Sequence, residues 1–348
     1  MTKSAPTERT NSIWLHHRSN IRATLTDCFE QATDFRFSQP RALQLPVNPI
    51  ECHFYNGLNG LLLMHHAYSV SKELNIFDCR FAHFHDFAKH DLRLRKGSHA
   101  VNIIHVSSHS PEEHIDTETG SVATRYSKVE NVAKGYRPIF HAQQLVNQIV
   151  PTSSAIIDQI KIPFHEQHVM DRFIGDWVRA LSINVRFVRT YQTAESDVKT
   201  NAVVLPLPQL FQRPDQYLPT LFHHLILLTA NQMPLLDFDS DLTGEIGSLL
   251  ICNALFLRFE RTIDADLLES KIATMSSTEL FMHALVAEQA MRSALKQSGQ
   301  LSFVLHAQSH VTALVCKDFL LFSKSEKTAA TASREATLQS SEPINIRF

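Results

Sequence analysis

Apolar residues at helical spacing open the pattern: Ile13, Ile21, Leu25 and Phe29 predict a helix over 13–33 behind a polar lead. A proline-punctuated connector, FSQPRALQLPVNP, follows. YNGLNGLLLMHHAYSVSKELN reads as a turn entering a helix, with Asn59 as N-cap and Leu61, Leu62, Met64, His65 and Tyr68 on the apolar side. A short helix is expected over 84–90. The segment 93–98 then leads into AVNIIHV, a β-branched run that predicts a strand. Residues 107–124 are polar without periodicity and predict a loop, and YRPIFHAQQLVN predicts a strand followed by a helix start.

Past residue 150 the texture changes. EQHVMDRFIGDWVRAL predicts an amphipathic helix, and NVRFVRTYQ and TNAVVLPLPQLF predict strands. Helices are expected over 217–231, 241–260 and 276–296, and LSFVLHAQSHVTALVC is read as a strand pair. From Ser323 the Ser/Thr/Ala-rich tail is expected to be disordered. No internal repeat is visible.

Composition narrows the class. A chain of 348 residues fits two domains at about 150 residues each. With 44% hydrophobic and 20% charged residues it can bury real cores. The cysteines Cys28, Cys52, Cys79, Cys252 and Cys316 are scattered and form no C-x-x-C pair, so neither a cysteine zinc site nor a disulfide framework is indicated. The polar N-terminus lacks a signal-peptide core, and no apolar run approaches the roughly 20 residues of a membrane span. A soluble protein of the reducing cytosol, with no membrane contact, is expected. The net charge of −2 divides unevenly: residues 1–150 hold 16 Lys+Arg against 14 Asp+Glu, and 13 of the 20 histidines.

Two constellations carry candidate chemistry. Residues 53–105 combine the aromatics Phe54, Tyr55, Phe77, Phe81, Phe84 and Phe87 with the cations Arg80, Lys89, Arg93, Arg95 and Lys96. Cations that track phosphates and rings that stack on bases are what a single-stranded nucleic acid needs. Gly97 permits a left-handed turn or close backbone approach. Against this, phenylalanines at such density usually form core, and an RKG turn is commonly only solvated. The second constellation is LPTLFHHLILLTANQ. It begins like a zinc-hydrolase helix, yet His223 and His224 are adjacent and so point about 100° apart. Zinc needs two histidines on one face, and the fourth position after His223 is Leu227, which has no lone pair. Asp237, Asp239 and Asp241 alternate, but an EF-hand glycine and glutamate are missing. Nucleotide-hydrolase and serine-hydrolase motifs are absent.

YNGLNGLLLMHHA, LRKGSHAVNIIHV and FHAQQLVN, in this order over residues 15–150, resemble the N-terminal domain of ArdC-type antirestriction proteins. Tyr55, Gly57, Asn59, Arg95, Lys96, Gly97, Phe140 and Gln144 coincide with that pattern, while Asn56 replaces its arginine. The later segments AVVLPLPQLF, TLFHHLILL, GEIGSLLICNALFL and STELFMHALVAEQAMRSAL resemble the same family's zincin-like metallopeptidase domain. There His223 falls on the first zinc histidine and Glu245 on the third ligand. The general-base glutamate has become His224, and the second histidine Leu227. The resemblance implies an α+β protein with a single-stranded DNA-binding domain over 13–150, a degenerate zincin-like domain over 155–322 and a tail over 323–348. Tyr55, Asn59, Arg93, Arg95, Lys96 and Gly97 are the expected nucleic-acid contacts, and single-stranded DNA the expected partner. His223 and Glu245 are expected to be relics, with no metal cofactor and no catalytic residues, so a non-enzyme of a plasmid or other mobile element. The alternatives are an active zinc peptidase rescued by His168, His283 or Asp241, and a non-catalytic protein-interaction module.

Overall fold

The computed structural model describes residues 46–146 and 163–319, except 56, 75–77, 107–111, 116–121, 126–132, 191–192, 214–215, 234–239, 258, 260–264, 310–311, 314–315 and 317–318. The helix expected over 13–33 and the tail over 323–348 lie outside the described residues.

The fold is α+β. Strands β1 (Val47–Asn48) and β2 (His53–Phe54) pair antiparallel. Helix α1 (Gly57–Leu74) follows, then β3 (Phe81–Ala82), α2 (Phe84–Lys89), β4 (Val101–Val106), β5 (Glu112–Ile115), β6 (Val122–Arg125) and β7 (Ala133–His141). The long β7 is the centre of a sheet ordered β3-β7-β4, antiparallel on both sides. Next come α3 (Gln167–Ala180), β8 (Asn184–Val188), β9 (Glu195–Asp197) and β10 (Ala202–Pro206). Strand β10 runs parallel to β8 and antiparallel to β9. Helices α4 (Tyr217–Asn231), α5 (Ser240–Ala254), α6 (Ala265–Thr274) and α7 (Ser277–Gln297) complete the order, with residues 301–309 also helical. Among the described residues no helix is long and apolar enough to cross a membrane.

The main core surrounds α4, where only a few positions reach solvent. Phe222 stacks on Trp177 with ring centroids 6.0 Å apart and meets Phe173 edge-on at 6.4 Å. Each such buried ring contributes about 1.5–3 kcal/mol through its removal from water. Helix α1 serves two clusters. Leu58, Leu61 and Leu62 pack into the core around α4, whereas Leu63 and Ala67 pack with Tyr55, Phe81, Ile103 and Ile139. Apolar packing is therefore continuous from the first sheet to the helical half.

The pattern-based expectations hold for most elements, and α4 has the bounds read from the sequence. Helix α7 begins where Ser276 and Glu279 form a capping box: the serine hydroxyl accepts from the Glu279 N–H, and the glutamate accepts from the Ser276 N–H. Several expectations need correction. The expected loop over 107–124 holds the hairpin β5–β6, whose polar strands carry no apolar alternation but set Glu112 opposite Arg125. The strand pair expected in LSFVLHAQ is helix: Val304, Ala307 and Gln308 are buried and Ser302, Leu305, His306 and Ser309 exposed, a period of three to four residues. The helix over 241–260 stops at Ala254, because Phe256 adopts φ 57° and the Leu257 N–H closes onto the Cys252 carbonyl at 2.8 Å. The helix start expected after β7 is only a 3-10 turn, Ala142–Gln144.

Asn59 is not the N-cap of α1, which begins at Gly57. The cap comes from 230 residues away: the Leu58 N–H donates to the Glu288 carboxylate of α7 at 3.1 Å. Arg292 holds that carboxylate from one turn along, at 2.8 Å. Gly57 has φ +62°, and a Cβ there would meet the Glu288 carboxyl carbon at 2.4 Å. Gly57→Ala is expected to destabilise by roughly 2 kcal/mol or more, combining left-handed strain with loss of the cap. Glu288→Gln, which keeps an acceptor oxygen, should cost less than Glu288→Ala. Denaturant midpoints at fixed m-value measure both, and a Gly57→Ala midpoint equal to wild type would remove the cap from this account.

Candidate functional site

The histidine helix packs face to face with α5. The His223 ring lies over Gly244, where a Cβ would approach it to 2.8 Å, and Ile226 lies over Gly247, where a Cβ would approach to 2.4 Å. This close approach brings His223 Nδ1 to 3.1 Å from Glu245 Oε2, with side chains only 4% and 0% exposed. The sequence-matched first and third ligand positions thus meet directly. The other two positions of the motif do not supply what zinc hydrolysis needs. Leu227 is buried. His224 stands edge-on to His223, centroids 5.0 Å apart, and its Nδ1 has no hydrogen-bond partner among the described residues. Burial, with the neighbouring His223, pulls the His224 imidazole down from 6.5 to about 3. An imidazole so depressed is a poor base at neutral pH.

Each candidate rescuer has a contact of its own. His283 Nδ1 lies 3.3 Å from the Thr243 hydroxyl. Asp241 pairs with Lys271 at 3.1 Å, and His168, 72% exposed, faces Glu166 at 3.6 Å. Asp237 and Asp239 lie outside the described residues. Among the described residues no three His, Cys, Asp or Glu side chains are grouped as a metal ion requires. Leu227 and His224 thus leave the H-E-x-x-H pattern without its second histidine and its glutamate base.

The basic turn sits on the other sheet. Arg93, Arg95, Lys96 and Gly97 are exposed, and Gly97 adopts φ +86° with open space where a Cβ would stand. The turn is fastened to the end of β7. The Arg95 N–H donates to the Gln144 carbonyl at 2.8 Å, and the Val146 N–H donates to the Arg93 carbonyl at 2.7 Å. Gln144 donates its amide to the His99 carbonyl at 2.9 Å and accepts from the His141 N–H at 3.1 Å. The Arg95 guanidinium turns back to donate to the Gln143 carbonyl. Among the described residues Arg93 and Lys96 show no such side-chain contact.

The aromatics divide sharply. Phe54, Tyr55, Phe81 and Phe87 are buried. Tyr55 is held by its cluster, and its hydroxyl donates to the Phe81 carbonyl at 3.4 Å. Phe77 lies outside the described residues, whereas Phe84 is 51% exposed at the start of α2. Asn59 is half-buried in the first turn of α1. Arg80 does not belong with the surface cations. It is buried and grips Asp78 with both arms, Nε to Oδ1 at 2.9 Å and Nη2 to Oδ2 at 2.8 Å. Gln143 adds a bond to Asp78 Oδ2 at 2.7 Å. Burial alone would raise the Asp78 carboxyl, but the Arg80 charge and hydrogen bonds, with His141 and Gln143, outweigh it and hold it down at about 2. Sequence reading missed this network and the Glu288 cap. Gln143, beside Gln144 in the FHAQQ motif, was the signal available for the first, and nothing local signalled the second.

Solved structures supply a comparison. No family model and no curated protein matches the chain. The crystal structure of the antirestriction protein ArdC from plasmid R388 with Mn(II) bound superposes with TM-score 0.52 at 14% identity, covering 80% of this chain and 98% of that one. Its metal-free form gives 0.50 at 15%, covering 80% and 97%. The chain is ArdC-like in fold. The likeness covers 80% of the chain.

His66 offers a pH test of the first cluster. Its ring lies near Phe81 and His141, at 6.1 and 6.2 Å, and Nε2 has no partner. Burial, then His141 and His65, lower it from 6.5 to about 4. The unfolded chain binds this proton first, so stability should fall as pH drops from about 6.5 to about 4, by at most ~1.4 kcal/mol per pH unit for this group. His66→Phe should flatten that limb in urea melts at pH 7, 5.5 and 4.5. An unchanged slope would mean that His66 does not stay neutral in the fold.

Proposed function

We propose that this is a single-stranded DNA-binding protein of a plasmid or other mobile element, acting in antirestriction or strand protection in the cytoplasm. Its metallopeptidase-like half is non-catalytic. The observation that carries the reading is the exposed Arg93–Lys96–Gly97 turn, fixed to β7 by Gln143 and Gln144, on a fold shared with an antirestriction protein. A turn held at its backbone presents cations without losing its own conformational freedom on binding. Arg93 and Lys96 are the phosphate contacts in this reading, Arg95 and Gly97 shape the turn, and Phe84 is the exposed ring available to a base. Tyr55 and Asn59 belong with packing of the first cluster and α1.

Affinity for a single strand should fall with salt, by a log–log slope of roughly −0.7 per phosphate neutralised. Replacing Arg93 and Lys96 together with alanine should flatten that slope by about one to two such units at unchanged Tm, since exposed cations contribute within about 0.5 kcal/mol. Phe84→Ala should cost about 1–3 kcal/mol of binding with the slope kept. Tyr55→Ala should lower Tm as well. Anisotropy titrations with single- and double-stranded oligonucleotides decide this: equal affinity for both, or none for either, overturns the reading.

The metal half has its own test. R388 ArdC is described with Mn(II) bound. This chain, dialysed against Zn(II) or Mn(II), should retain well under one equivalent, because Leu227 and His224 offer neither second ligand nor base. His224→Glu with Leu227→His should create zinc affinity, with His223 and Glu245 completing the set. Stoichiometric metal in the wild type, lost on His223→Ala, would support the peptidase alternative.

A further inference from the structure

Two cysteines far apart in sequence meet at the β1–β2 turn. The Asn48 side chain shapes the turn, its carbonyl oxygen accepting from the Ile50 and Glu51 N–H groups at 3.0 Å each. Cys52 closes the turn in the left-handed region, φ 52°, with its thiol exposed and 4.0 Å from the Ile50 carbonyl. Cys316 approaches the same turn from inside. Its buried thiol donates to the Asn48 carbonyl at 3.7 Å, across 268 residues of sequence. Both thiols thus lie against carbonyls of the same turn, Cys52 at Ile50 and Cys316 at Asn48. The remaining described cysteines, Cys79 and Cys252, are buried in other surroundings: Cys79 next to Asp78, and Cys252 in the core around α4.

We infer that Cys52 and Cys316 form an oxidation site, in which a peroxide converts the pair to an intramolecular disulfide between the β1–β2 turn and the C-terminal helical segment. The chemistry balances with one peroxide. The exposed Cys52 thiolate attacks a peroxide oxygen. An S–O bond forms, the O–O bond breaks, and the sulfenic acid is left with one water released. The Cys316 sulfur then attacks Cys52 Sγ, forming the S–S bond and expelling the oxygen as a second water. Two thiols are oxidised, and hydrogen peroxide is reduced to two waters. The order follows from access: peroxide reaches Cys52 at the surface, and Cys316 lies behind it. Burial, together with Cys52, pushes the Cys316 thiol up, which suits a resolving rather than an attacking role. The bond would fasten a segment that already packs through Phe319 against Phe87 and beneath the Arg80 guanidinium.

The test uses the full chain. It is treated with one to two equivalents of hydrogen peroxide, blocked with N-ethylmaleimide, digested and read by mass spectrometry. A peptide pair linked through Cys52 and Cys316 is expected, lost on dithiothreitol treatment and present in Cys28→Ser. Tm should rise on oxidation, return on reduction and stay unchanged in Cys52→Ser. Because Cys52 is exposed, that variant folds even if Cys316→Ser does not. Cys52 recovered as sulfinic acid, linked to Cys28, or joined to a second chain would overturn the inference.

Discussion

The approach of α4 to α5 is the contact on which the rest of the helical half depends. Gly244 and Gly247 remove the side chains that would hold the two helices apart, and the His223 ring and Ile226 occupy the space. With no Cβ in between, α4 is buried on nearly every side, so its sequence is apolar all round rather than in a stripe. That burial also decides the fate of the relic pair. A lone carboxylate at 0% exposure would be costly; beside His223 at 3.1 Å it has an ionisable partner. His223 and Glu245 therefore have a packing reason to persist whether or not a metal ever joins them.

The two halves are joined by polar contacts as specific as the apolar ones. Glu288 of α7 caps α1, and α1 in turn supports the first sheet through Leu63 and Ala67. The Asp78–Arg80–Gln143 network anchors the end of β7, from which Gln144 holds the basic turn. A buried charge pair with its remaining lone pairs bonded tolerates little rearrangement. The basic turn is thus placed by a chain of contacts that starts in the core and ends at the surface.

Much of this was legible in the sequence where one residue's neighbours in sequence are also its partners in space. Helix α4 is of that kind, as is the helix beginning near Ser276, and the spacing of His223, His224 and Leu227 can be read there too. The motif YNGLNG was recognisable, but its reason was not. Gly57 answers to a carboxylate in α7, and a Cβ on Gly60 would meet the Tyr55 carbonyl at 2.4 Å. Composition counted Arg80 and four buried aromatics toward a nucleic-acid surface. Burial removes them, since charge and ring content do not say which side of a sheet a residue faces. The hairpin β5–β6 escaped because its strands are polar, and the 301–309 helix was read as strand because an apolar-rich run of that length suits either period.

The turn's own arginines show how a motif can mix roles. Arg95 and Lys96 are adjacent and equally exposed in sequence terms, yet Arg95 directs its guanidinium to the Gln143 carbonyl, and its own N–H goes to the carbonyl of Gln144. A planar fork that bonds to backbone in fixed directions is suited to shaping a turn, whereas the flexible ammonium of Lys96 is suited to following a mobile phosphate chain. Arg93, whose carbonyl is tied to Val146 while its side chain has no such bond, combines a fixed backbone with a mobile charge. A tight RKG sequence thereby spends one cation on its own geometry and leaves the charges on either side to face solvent. The fixed shape of the turn rests on the glutamine pair that keeps it in place.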